Sequence, residues 1–528
     1  MELATILDPA NILSRPPRNA EGYKTLSSWG EEQIWGHRLW HRQTPWLLFL
    51  EFLGIAEAML RADRLFVSDT ARSIITYRLH QRIALRNLLF NNALLSRINE
   101  SPGADSVKWD AWTKWMNEEC EPHRGLDFGY LRQRFAKFGD FARTIELLRK
   151  TVLEPGTNRR WSSRFLFPFG QHALYEDLDI TGAKAERQAI NFGRAGDLLY
   201  MMLSRSSYTT ELRALFADLL RLPNIPDKMV AKLLPPAGSE DLSGERTGGY
   251  LPYKSHPAYD RLAKDWLSLL RLSLPSRDAY AHVVPLAALH LLLYQMETAA
   301  AWCGRPAAPV YVCEIIAPKM EFVRQRALRS YLDNDGLPRL ALEALARITM
   351  NGTAWDATAN NPSLITDAER VTEAVHYLED VLWLDPKEAA GAADLQEFKS
   401  LVLRRLHDKL DDNNGLLHSA YGRHCGLISK RGARSYRYAP TDALLKTLVL
   451  ANVKDRIEFT EFLSLLFRRY RLVFGPVEAS IALPVEEFEE TPFRKNIDRL
   501  EERFRSMGLL NRLSDGVAYV ENPFSGGL

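Results

Sequence analysis

The chain has 528 residues, 68 Lys and Arg against 66 Asp and Glu for a formal net charge of +2, with 46 % hydrophobic and 25 % charged residues. This balance excludes a disordered polyelectrolyte and a protein-wide basic field for nucleic acid, and the length predicts about three domains. Cys120, Cys303, Cys313 and Cys425 are dispersed, with no CxxC pair, which predicts free thiols in a reducing, cytoplasmic setting.

From the N-terminus onward, Met1-Glu2-Leu3-Ala4-Thr5 lacks the charged start and apolar run of a secretory signal. The most apolar early stretch, Trp46 to Leu60, contains Glu51 and Glu57 and is too short for a bilayer, so a buried amphipathic helix and no membrane contact are expected. Trp29, Trp35, Trp40 and Trp46 cluster around His37 and His41, a density that predicts a large buried area. His37-x-x-x-His41 would place two imidazoles on one helical face, but no glutamate follows the first and no third ligand is signalled, so no metal is expected.

Three-and-four spacing of apolar residues predicts helices over Thr44–Asp63, Ser68–Asn99, Asp127–Leu153, Ala185–Leu203, Asp278–Trp302 and Val310–Leu332. In the second, Arg78, Arg82 and Arg86 recur every fourth residue, the pattern of a solvated face. Breaks fall at Ser101–Ser106, Glu154–Arg159, Leu234–His256, Asn351–Ser363 and Asp411–Pro440. They divide the chain into an N-terminal helical domain (1–234), a middle helical domain (257–412), a basic connecting segment (413–439) and a C-terminal module (440–528).

Catalytic signatures are lacking: there is no Walker loop, dinucleotide fingerprint, nucleophile elbow or kinase set, and no cofactor or small-molecule substrate is expected. Asp333-Asn334-Asp335-Gly336 lacks the first acidic ligand of a calcium loop and reads as a turn between helices. His407-Asp408-Lys409 matches a phospholipase-D-type nuclease motif only loosely, with Asn414 where an aspartate belongs. Glu176, Asp177 and Asp179 read as an exposed turn or helix start rather than a metal site.

Charge becomes uneven only near the end. Leu401 to Gly475 holds fourteen Lys or Arg against seven Asp or Glu, whereas Pro476 to Leu528 holds six against ten. Tyr421 to Tyr438 carries Arg423, Lys430, Arg431, Arg434 and Arg437 and no acid, interleaved with Tyr421, Tyr436 and Tyr438. Arginines neutralise phosphate, glycines bring backbone amides close and tyrosines offer stacking faces, although a solvated loop or strand pair at a domain junction would carry the same residues. Arg468 and Arg469 could extend such a surface.

After Pro440-Thr441-Asp442, a helix start, apolar spacing predicts a helix to Asn452, a second over Thr460–Tyr470 and a third from Thr491-Pro492 to Met507, ended by Gly508. Leu509–Leu513 and Val517–Val520 flank Ser514-Asp515-Gly516, a hairpin turn. This order resembles the winged-helix family of helix-turn-helix domains. The expected fold is therefore mainly α, a multi-helix body with a C-terminal winged-helix domain of three helices plus a β-hairpin.

The resemblance implies that the third helix enters the DNA major groove and the wing meets the backbone, which would give Arg494, Lys495, Arg499, Arg503 and Arg512 to DNA. Glu486, Glu487, Glu489, Glu490, Asp498, Glu501 and Glu502 lie among them, so binding of protein instead stays open. Thr44–Leu53 and Cys425–Asp442 further resemble helper proteins of multi-gene bacterial anti-phage defence systems. That resemblance implies a non-catalytic, DNA-associated scaffold subunit partnered by an ATPase, helicase or nuclease, with a protein-binding adaptor or a DNA-processing enzyme as the alternatives.

Overall fold

The computed structural model describes residues 3–16, 26–37, 39–67, 73–119, 126–149, 170, 172–174, 178–179, 186–187, 195–221, 224–236, 245–274, 276–316, 321–389, 391–431, 434–513 and 517–525. Cys120, the acids Glu176 and Asp177, the side chain of Asp179, residues 237–244 of the break expected at Leu234–His256 and the turn Ser514-Asp515-Gly516 lie outside the described residues. The fold is mainly helical, with short strands paired in twos and threes.

At its centre runs the helix Ser276–Trp302, with Pro285 inside it. It packs against the helices Pro257–Leu270, Pro45–Arg61, Leu337–Met350 and Leu417–His424. Its stretch from Asp278 is long and apolar enough to cross a membrane, and 94 % of the qualifying window is buried inside the protein. A helix apolar on every side has to be covered, and here other helices cover it. Trp29 and Trp35 are fully buried, and Trp29 stacks on Trp383 with ring centroids 3.9 Å apart.

Local periodicity misleads in four places. Asp127–Leu153 holds two helices, Leu131–Arg134 and Phe138–Arg149, and Ala185–Leu203 holds the strand Glu186–Arg187 and the helix Ala195–Ser204. Instead of one helix over Ser68–Asn99, Ile74–Tyr77 is a strand paired antiparallel with Arg246–Tyr250, and the helices Ile83–Phe90 and Leu95–Glu100 follow it. Arg82 turns left-handed (φ 50°) and Arg86 is buried, so no arginine stripe forms. Likewise Val310–Leu332 divides into the strand Tyr311–Val312 and the helix Glu321–Asp335. Asp333, Asn334 and Asp335, expected in a turn, are the last residues of that helix, and Gly336 alone separates it from Leu337–Met350.

The boundaries expected at 234, 257, 412 and 440 do not separate cores. One continuous apolar cluster runs from Leu3 to Val520. The 413–439 stretch is not a linker: it contains the helix Leu417–His424 and the paired strands Ile428–Ser429 and Arg437–Tyr438.

The C-terminal module follows its expected element order. The first helix, Asp442–Asn452, is capped by Thr441, whose hydroxyl accepts from the Leu444 N–H. The strand Arg456–Glu458, the second helix Phe459–Tyr470 and the third helix Glu490–Ser506 come next, then the strands Leu510–Leu513 and Val517–Glu521. Val517–Glu521 lies between the other two strands, antiparallel to both. The third helix begins just before Thr491, at Glu490, and its Phe493, Asn496, Leu500 and Phe504 face inward. Between the second and third helices, Leu472–Val473 pairs parallel with Tyr311–Val312 of the body, and the short helix Pro476–Ala482 follows.

Candidate nucleic-acid interface

The basic segment is held by the body in a fixed shape. The helix Leu417–His424 ends in Gly426 at φ +84°, a backbone conformation suited to glycine, and Gly422 lets Ile428 approach so closely that a Cβ would stand 2.1 Å from its Cδ1. The returning strand is anchored through two buried side chains. Tyr438 accepts from Asn334 Nδ2 at 3.0 Å and lies 2.7 Å from His418 Nε2, while His418 Nδ1 is 2.8 Å from Asp335. The roles of the two ring nitrogens follow the tautomer: with the proton on Nδ1 toward Asp335, Nε2 accepts from the phenol. Burial pushes the Tyr438 phenol well above its ordinary pKa, and its hydroxyl faces protein, so this chain of groups is a support rather than a catalytic relay.

Arg437, expected to reach DNA, is instead 1 % exposed and ion-paired through Nε with the fully buried Glu314. Arg324 Nε holds the other Glu314 oxygen at 3.0 Å. Arg437 also donates from Nη2 to the Arg431 carbonyl at 2.9 Å, so its role is to fix the loop that carries the outward cations. The spacing of basic residues had given no sign of this, because Glu314 is 123 residues away in sequence.

The structure brings Arg423 and Lys430 together over Tyr436, and Arg431 and Arg434 lie in the connection between the paired strands Ile428–Ser429 and Arg437–Tyr438. All four are exposed, and Gly432 and Ala433 between them lie outside the described residues. The Arg423 guanidinium stands 5.4 Å and the Lys430 ammonium 5.2 Å from the centroid of the half-buried Tyr436 ring, within cation–π range. Among the described residues no carboxylate lies within ion-pair distance of any of the four. The result is an exposed, cationic tip with an aromatic centre on a rigid base.

Elsewhere the expected cations are dispersed or neutralised. Arg469 is ion-paired with the fully buried Asp265, which also accepts from Tyr470 at 2.6 Å and meets His290 Nε2 at 2.8 Å. Burial alone would raise the Asp265 carboxyl, but the hydrogen bond and charge of His290, with the charge of Arg469, hold it below its ordinary value. Arg261 donates to the Arg469 carbonyl at 3.0 Å and pairs with Glu297, so this network fastens the module's second helix to the body. Arg469 is thus a tie and not a DNA contact.

On the third helix Arg494 pairs with Glu490, and Arg503 lies 3.0 Å from Asp442. Arg512, on the following strand, lies 3.7 Å from Glu501, which Arg505 also holds. Arg499 is half-buried; Arg468 and Lys495 are exposed. Asn496 donates to the carbonyls of Cys313 and Phe474 and accepts from the Ile315 N–H, so the inward face of this helix is locked to the body.

His37 and His41 fall between helices rather than on one helical face. No group of three or more metal-ligating side chains forms among the described residues. A groove of about 420 Å³ beside Asp335 is lined by Leu332, Arg339, Asp411 and Leu416, and Arg339 and Asp411 pair with each other at 2.8 Å. No protein-family model, curated protein or solved structure matches this chain.

Proposed function

We propose that this chain is a non-catalytic scaffold subunit that grips the phosphate backbone of double-stranded DNA through Arg423, Lys430, Arg431 and Arg434. The observation that carries the reading is the set of four exposed cations on this one segment, two of them over Tyr436, with no carboxylate partner among the described residues. Phosphate contact needs charge that is free and rigidly presented, and sequence need not be read for it. Support for a winged-helix identity of the module comes from its element order and from the central strand Val517–Glu521. Its third helix, with cations paired to its own acids, is assigned a structural and protein-facing part. The resemblance of Thr44–Leu53 and Cys425–Asp442 to anti-phage helper proteins favours a bacterial defence assembly containing an ATPase, helicase or nuclease.

The test is fluorescence anisotropy with a labelled duplex of arbitrary sequence across a salt series. Each lost phosphate contact lowers the slope of log K against log salt by about 0.9, so Arg431→Ala with Arg434→Ala should flatten it by about 2. Arg494→Ala with Lys495→Ala should leave the slope near wild type. Binding that is absent, or insensitive to salt, leaves the protein-binding adaptor as the reading.

A further inference from the structure

We infer that the insertion between the module's second and third helices is a docking surface for a basic amphipathic segment of a partner protein. The inference is independent of the DNA reading and concerns a different surface. Between Arg471 and Arg494 the 22 residues 472–493 hold five glutamates and no Lys or Arg. Inside this stretch the short helix Pro476–Ala482 is apolar on two sides. Its inward side is accounted for: Ala479 belongs to a small core with Val312, Val323, Phe467, Val473 and Phe493, against which Ala482, Leu483 and Phe488 also pack.

Its outward side is not. Val477 is 63 % exposed, Ile481, one turn on, 69 %, and Val485 just beyond the helix 86 %. Scattered single apolar residues on a surface need no explanation, but branched aliphatics at i and i+4 with a third close behind make a ridge suited to a groove or an apolar helix face. The ridge is also rigid, because the strand Leu472–Val473 is paired to the body and Glu487 is clamped by Arg326 at 3.1 Å and Arg329 at 3.3 Å. A partner would therefore find it already ordered.

Charge selects the occupant. Glu486 and Glu489 follow Val485 in the sequence, are exposed, and have no ion-pair partner among the described residues. An apolar ridge with an anionic rim complements apolar anchors flanked by Lys or Arg, and it repels a phosphate backbone.

The full-length chain is titrated against two labelled synthetic helices with identical leucine spacing, one of leucine and lysine, the other of leucine and glutamate. The lysine peptide should bind and the glutamate peptide should not. Ile481→Asp should weaken the lysine peptide about tenfold or more. Glu486→Lys with Glu489→Lys should reverse the preference, and Arg431→Ala with Arg434→Ala should leave it unchanged. All of these positions are exposed, and melting curves verify that the variants fold. Equal binding of both peptides, or affinities insensitive to Ile481→Asp, would overturn the inference. So would a concentration-dependent doubling of mass in light scattering that Ile481→Asp abolishes, since a second copy would then own the face.

Discussion

On the basic segment, Arg423 and Lys430 over Tyr436 and the exposed Arg431 and Arg434 have no acidic partner among the described residues, while on the third helix and its following strand Arg494, Arg503 and Arg512 each lie beside a carboxylate of their own chain. The two regions carry comparable numbers of cations, but only in the second are acids interleaved with them along the sequence. The difference lies in what supports each. Beneath the first, the buried Glu314 is satisfied by Arg324 and Arg437, and the outward cations keep no acid beside them. In the second, Arg494 and Arg505 meet acids one turn away on their own helix, and Arg503 and Arg512 meet acids that neighbouring elements bring to them.

The largest expected effect breaks this comparison by removing a carboxylate. Glu314→Ala leaves Arg324 and Arg437 facing the vacated site without their counterion, a loss of about 3–5 kcal/mol for a buried pair. Although the net charge rises by one, DNA affinity should fall, because the loop carrying Arg431 loses its anchor. Thermal unfolding and anisotropy check this together. Tighter binding with an unchanged melting temperature would mean that the number of cations matters and their support does not.

A smaller effect should separate the two regions by pH. Burial lowers the His290 pKa and the Asp265 bond only partly restores it; His256, also fully buried, is held well below its ordinary value. Both bind a proton more readily when unfolded, so stability is present above about 6.5 and declines as the pH falls below it. The Asp265 carboxyl, held low, adds a second loss as the pH drops through the ordinary carboxylate value and below. Arginines do not titrate in this range, so the salt slope of DNA binding should stay constant from pH 7 to 6 while the melting temperature falls. His290→Gln should reduce the pH dependence of melting, leaving the share due to His256 and to His41, His172 and His282, which burial also lowers.

How far the sequence reveals these regions depends on how local the causes are. The helices Pro45–Arg61 and Ser276–Trp302 and the module's three main helices with its closing pair of strands were legible, because periodicity, a cap and Gly508 lie within the elements they shape, whereas the strands Arg456–Glu458 and Leu472–Val473 and the helix Pro476–Ala482 were not. The strand Ile74–Tyr77 was not, since its partner Arg246–Tyr250 is far along the chain. The hairpin that carries the candidate site looked like a linker because its glycines and charges outnumber its apolar residues, yet Leu417, Tyr421, Cys425, Leu427 and Tyr438 are buried. The fates of Arg437 and Arg469 were invisible for the same reason as the strand: Glu314 and Asp265 lie 123 and 204 residues away.

The smallest expected effect sharpens the edge of the interface. Asp442, 58 % exposed, pairs with Arg503, 28 % exposed, at 3.0 Å, where the first helix of the module begins beside the end of the basic hairpin. Such a pair contributes about 0–1 kcal/mol, and the acid also sits favourably at a helix N-terminus, so Asp442→Asn should lower stability by about 1 kcal/mol or less. It releases a cation near Pro440 without adding one. If contact with DNA is confined to the tip around Tyr436, the salt slope stays as in wild type; a slope steeper by about one would carry the interface onto the third helix, with Arg503 as its first residue there.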